Sequence, residues 1–110
     1  MSVVDEKVVR FLKNIMGQRF DELITAFESD ARRRLILIEN ALADRHMSII
    51  ITEVHGLKGS CRNIGAELTA TRCQELEQRA REDAVDQIPA VIRALQQDVA
   101  AIAAELKAAR

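Results

Sequence analysis

The chain has 110 residues, 48% of them hydrophobic and 30% charged, with a net charge of −1. That suffices for one apolar core and leaves no basic excess, and without Trp or Tyr there is no aromatic-studded basic stripe for nucleic acid. The longest apolar runs, LILI and SIIITEV, are far too short to span a membrane. Asp5 and Glu6 interrupt the apolar residues after Met1, so no secretory signal is expected. Cys61 and Cys73 are too few for a disulfide framework and read as reduced thiols of a cytoplasmic protein.

One proline, four glycines and abundant Ala, Leu, Arg and Glu predict an all-α chain, a single domain over residues 1–110. The starting Met1 and the early helix favour a stand-alone protein. A short first helix is predicted over about 3–16, with Val4, Val8, Leu12 and Ile15 on one face and Gly17 at its end. The second, about 19–44, sets Phe20, Ile24, Phe27, Ala31, Leu35, Ile38 and Leu42 at alternating four and three spacing, the seam of a bundle. Within it, ARRRL is expected to form i,i+4 pairs on a solvated face. The third, about 47–63, continues with Ile50, Val54, Leu57, Cys61 and Ile64, and Gly65 suits a left-handed helix end. The fourth, about 66–83, has a thinner face of Leu68, Cys73, Leu76 and Ala80. The last starts near DQIP with Asp86 as N-cap and Pro89 in its first turn, and carries Ile88, Ile92, Leu95, Val99, Ile102 and Leu106 to about 108. Four long helices with short turns predict an antiparallel four-helix bundle, with the short first helix as a lid. The last seam could instead pair with a second copy, but the partner seams that would bury it are already present, so a monomer is expected.

Three of the four glycines fall in HGLKGSCRNIGA, residues 55–66. With Ile50 at zero and 100° per residue, the core set lies within roughly 40° of zero, while His55 falls at roughly 140°, Lys58 at 80°, Arg62 at 120° and Gly59 at 180°. His55 therefore points outward, with two cations on its side of the helix and a bare position one turn on. Glycine in a helix interior costs roughly 1 kcal/mol relative to alanine. That cost is understandable if another protein must come close to an exposed nucleophile. A phosphoryl group on the imidazole would bring nearly two negative charges, which Lys58 could meet.

The run HGLKGSCRNIGAELTATRCQELE closely resembles the signature of histidine-containing phosphotransfer (HPt) domains, roughly H-x-L-K-G-(S/A)-(S/A)-x-x-(L/I)-G-A…L…C…LE. His55, Leu57, Lys58, Gly59, Ser60, Ile64, Gly65, Ala66, Leu68, Cys73, Leu76 and Glu77 stand at matching positions. The resemblance implies a phosphorelay intermediate. His55 would take a phosphoryl group from a response-regulator receiver domain or a hybrid sensor histidine kinase and pass it to another receiver. Nε2 would attack, Lys58 would neutralise the phosphoryl oxygens, Gly59 would clear space, and Glu77 would hold the Nδ1–H and fix the tautomer. Gly56 stands where Thr is frequent, and Cys61 and Arg62 replace small residues. The chain itself would need no cofactor, since Mg²⁺ belongs to the receiver. Without a GxxxxGK[ST] loop or kinase glycine motif it would be a phosphocarrier rather than an enzyme. Only a neutral imidazole attacks, so transfer to it should fade in acid.

A receiver also needs apolar surface. Ile51 shares the histidine face, Met47 lies near it, and Leu37 and Ile36 fall off the second helix's seam; with Arg62 these form the expected docking patch. His46 reads as a turn histidine. A zinc site would need His46, His55, Cys61 and Cys73 to converge, and Cys61 lies on the core side. The competing reading is a phosphorylation-independent interaction module docking on a kinase or receiver. It gives no reason for His55, Lys58, Gly59 and Glu77 to be present together. A hydrolase would lack a nucleophile beside His55.

Overall fold

The computed structural model describes residues 2–110, so Met1 lies outside it. Among the described residues all regular structure is helical: α1 (Glu6–Met16), α2 (Phe20–Ala43), α3 (Met47–Asn63), α4 (Glu67–Arg81) and α5 (Ile88–Ala109), with single 3₁₀ turns at Gly17–Arg19 and Val85–Gln87. No helix among them is long and apolar enough to cross a membrane.

The seams do what their spacing dictates. Phe20, Ile24, Phe27, Ala31, Leu35 and Ile38 of α2 are buried, as are the five apolar residues of the histidine helix and all six of the last helix. Each fully buried Ile or Leu contributes about 1.5–3 kcal/mol of hydrophobic stabilisation. α2 packs on α3 and α5, and α4 packs on the same two, so the α5 seam is covered by its own chain. Small side chains lie between α3 and α4, where Cys61, Ala66, Ala70 and Cys73 are all fully buried. The neighbouring Cys73 thiol and burial push the Cys61 thiol, which is free, well above the ordinary thiol range.

Three expectations are corrected. α1 starts at Glu6, capped by the Asp5 carboxylate, which accepts from the Lys7 N–H at 2.8 Å. Val9 therefore faces the core with Leu12 and Met16 packed against it, and Ile15 is exposed. In α4, Leu68 is exposed, because it lies roughly 140° around the helix from Cys73, and Thr69 and Ala70 are buried instead. Asp86 sits within the 3₁₀ turn, and Gln87 occupies the N-cap of α5 without a side-chain bond, since Pro89 in the first turn sets the helix start.

The residues before α1 form a strap. Glu105 of α5 accepts from Ser2 Oγ and the Val3 N–H at 2.9 Å and from the Val4 N–H at 3.0 Å. The Asp5 N–H donates to the Gly65 carbonyl at 2.9 Å.

Helices α2, α3 and α4 end alike, in the paired backbone bonds of a Schellman turn. His46 N–H donates to Ala41 O at 2.8 Å, Ala66 to Cys61 at 2.8 Å and Ala84 to Arg79 at 2.9 Å. The left-handed residue is Arg45 (φ 59°) in the first, Gly65 (φ 80°) in the second and Asp83 (φ 53°) in the third. An L-residue is thus tolerated in the motif. Gly65 is required for a further reason: a Cβ there would stand 3.0 Å from Val8 Cβ and 3.1 Å from Asp5 Cβ. Gly65→Ala should lower stability by about 1–2 kcal/mol, the left-handed penalty, with crowding of the strap added to it. Arg45→Gly should raise stability by up to about 1 kcal/mol. Chemical denaturation of the two variants checks both signs.

Candidate functional site

His55 lies mid-way along α3 with its side chain 70% exposed. Its Nδ1 is 3.7 Å from Glu77 Oε1 on α4, within ion-pair reach and beyond the about 3.2 Å limit of an N–H···O hydrogen bond. Nε2, on the other side of the ring, is the nitrogen that this contact leaves unengaged. The close packing of α3 on α4 is what brings the two side chains together.

Lys58 is not the solvated cation that its place on the histidine side of α3 suggests. Its side chain is only 11% exposed, and Nζ donates to Glu77 Oε1 at 3.2 Å. The wheel angle explains this: at roughly 80° Lys58 lies between the core direction and His55, so its stem runs along the α3–α4 interface and its ammonium emerges beside Glu77. Arg81, one turn beyond Glu77, donates from Nη2 to Glu77 Oε2 at 2.9 Å. Glu77, itself 14% exposed, thus has a cation on each oxygen and an imidazole beside one of them. The Arg81 hydrogen bond is the main reason that its carboxyl lies below the usual range; Lys58 adds to it against the effect of burial. Arg81 had a sequence signal in its i,i+4 spacing from Glu77, but that spacing is common on helix surfaces and did not mark it.

The two glycines differ in purpose. A Cβ on Gly59 would meet nothing within 4 Å, so the surface one turn from His55 is open. A Cβ on Gly56 would overlap the Arg34 guanidinium, so that glycine makes room within the chain rather than for a visitor. Arg34 reaches from α2 to Glu53 on α3 at 3.2 Å while Nε donates to Asp30 at 2.9 Å. Arg32 and Arg33 are exposed and pair with Glu28 and Asp30, whereas Arg34 is a half-buried clamp and not part of a solvated face. Burial pushes the Asp30 carboxyl up, but its bonds to Arg34 and Arg33 outweigh this and hold it below the usual range.

Of the apolar residues around the site, Ile51 and Met47 are half-buried and pack on the core. Leu37 is 37% and Ile36 57% exposed. Ile36 lines shallow surface depressions with Arg32, one of them reaching α5 through Val99, and so leans away from α3. Arg62 is exposed and has no acidic partner within 4.0 Å among the described residues. His46 is exposed at the α2–α3 turn, whereas Cys61 and Cys73 are fully buried.

An exposed imidazole, a carboxylate at its Nδ1, a lysine within the same cluster and an open glycine one turn away form a site suited to carrying a group between proteins. The Hpt domain family model matches residues 22–105, and the chain belongs to that family. The fold is shared with histidine-containing phosphotransfer protein B (HptB) from Pseudomonas aeruginosa PAO1, whose crystal structure superposes with a TM-score of 0.88 at 29% identity, covering 94% of this chain and 90% of that one. No curated protein matches the chain. Hpt domain proteins are phosphocarriers of histidine phosphorelays, not kinases.

Because Asp30 and Glu77 both titrate below their ordinary values, their contribution to stability is complete above the usual carboxylate range of about 4 and is lost as pH falls through the lowered values. The melting temperature should therefore climb between about pH 2 and 5 and then level off. Arg34→Ala, which removes one cause of the Asp30 shift, should shrink that climb in melts across the same range.

Proposed function

We propose that this chain relays a phosphoryl group through His55, taking it from the aspartyl phosphate of a receiver domain or from a hybrid sensor histidine kinase and yielding it to another receiver. The observation that carries the reading is the exposed imidazole with its Nδ1 facing the Glu77 carboxylate at 3.7 Å beside the unobstructed Gly59. In the forward step the Nε2 lone pair attacks phosphorus in line, the bond from phosphorus to the donor aspartate breaks, and the aspartate leaves as carboxylate. The ring keeps its Nδ1 proton and becomes a phospho-imidazolium, whose positive charge Glu77 faces. Lys58 meets the phosphoryl oxygens.

The receiver contributes Mg²⁺, and this chain holds no cofactor of its own. Receiver docking uses Ile51, Met47 and Leu37 with Arg62 for charge, and Ile36 at its margin. The reading takes residues 1–110 as one cytoplasmic domain, a monomer, with α2–α5 as an antiparallel four-helix bundle and α1 across one end.

Incubation with a panel of receiver domains charged with phosphoramidate should place an acid-labile label on the chain that His55→Gln abolishes. Label surviving on that variant would overturn the assignment. Gly59→Ala separates access from folding. It should stabilise the helix by about 1 kcal/mol in denaturation, since nothing in the chain opposes the new methyl group, yet slow the transfer because the receiver meets it.

A further inference from the structure

The Glu77 carboxylate has two cationic partners, and they are not equivalent. Lys58 and His55 share Oε1, at 3.2 and 3.7 Å, while Arg81 alone holds Oε2 at 2.9 Å. Lys58 is the cation that a phosphoryl group on His55 would draw away, because its ammonium sits on the same oxygen that faces the imidazole. Arg81 bonds on the far side of the carboxylate. It lies in the last turn of α4, where the helix dipole favours a cation, and four residues after its acid, the favourable order for such a pair. Among the described residues its guanidinium makes no other ion pair.

Charge decides what happens when phosphate arrives. At rest, Lys58 and Arg81 face one carboxylate. A phosphoryl group adds close to two negative charges. If Lys58 turns to it and Glu77 has no other cation, a nearly buried carboxylate is left beside a phosphoryl group, and repulsion opposes the transfer. With Arg81 on Oε2 the carboxylate stays paired, keeps its place and still offers Oε1 to Nδ1.

We infer that Arg81 is a positioning residue of the phosphotransfer: it anchors Glu77 from behind, so that Oε1 fixes the His55 tautomer and Lys58 is released to the incoming phosphoryl group. The inference rests on the reading of His55 as phosphoacceptor and adds a residue and an exchange of partners to it. Lys58 is thus a cation on loan to Glu77, and Arg81 the one that stays.

The test uses the full chain with Arg81→Ala and Arg81→Lys. Nitrogen-15 spectra of the unphosphorylated imidazole report the share of the Nδ1–H tautomer without any partner. Transfer from the receiver domain that serves the unsubstituted chain best, charged with phosphoramidate, gives the maximal rate and the half-saturating concentration. Arg81→Ala should lower the Nδ1–H share and cut the maximal rate about fivefold, the scale of one net hydrogen bond, with half-saturation unchanged. Arg81→Lys, which can still pair with Glu77, should restore most of both. An unaltered tautomer share in Arg81→Ala overturns the inference, and so does a loss confined to half-saturation, which would make Arg81 a docking residue. Should no receiver label even the unsubstituted chain, the phosphotransfer reading fails, while the tautomer spectra still decide whether Arg81 orients Glu77. Arg81 is more than half exposed, so both variants are expected to fold, and their melting curves check this.

Discussion

The contact between α3 and α4 governs this molecule. His55 stands on one helix and Glu77 on the other, and the 3.7 Å between them depends on how closely and in what axial register the helices lie. The closeness comes from small, fully buried residues, Cys61 on α3 and Ala70 and Cys73 on α4. Larger side chains there would push the helices apart. The thiols are better understood as compact packing groups than as reagents, since both are fully buried and the Cys61 proton is held by its neighbour and by burial.

Once the helices are close, electrostatics takes over. A carboxylate that is 14% exposed needs partners, and Glu77 has them in Lys58 and Arg81. That pairing holds an ammonium group next to the imidazole. A free surface lysine would be hydrated and mobile, whereas this one is laid along the interface and held by Glu77. On the other flank of α3 the Arg34 clamp to Glu53 and Asp30 ties the histidine helix to α2, and it requires the missing side chain of Gly56.

Much of this was legible in the sequence, and the pattern of success has a physical basis. The seams of α2, α3 and α5 were readable because large apolar residues recur at helical spacing, and His55 was readable as outward from its angle to that seam. The faces of α1 and α4 were not. In α1 the apolar count was anchored on Val4, which belongs to the strap and not to the helix. In α4 the buried positions are filled by Thr69, Ala70 and Cys73, whose small size carries little hydrophobic signal, while Leu68 drew attention to the wrong side. The Arg81 pair, an i,i+4 contact within α4, is of a kind too common on helix surfaces to stand out, while the engagement of Lys58 by Glu77 depends on the axial offset between two helices, a quantity no single-helix pattern encodes. The purpose of Gly56 escaped for the same reason, since it is set by an arginine twenty-two positions earlier on another helix.

The strap bears on the chemistry through leverage. Asp5 bonds Gly65 in the connection between α3 and α4, and Glu105 pins the backbone just ahead of it. That connection is the hinge of the hairpin bearing the imidazole and its carboxylate, and a slide of one residue between neighbouring helices is about 1.5 Å. The segment of residues 2–5 therefore braces the turn from which α3 and α4 both run, and it bears on the register between the two helices although its bonds fall on Gly65 and Glu105 rather than on the histidine.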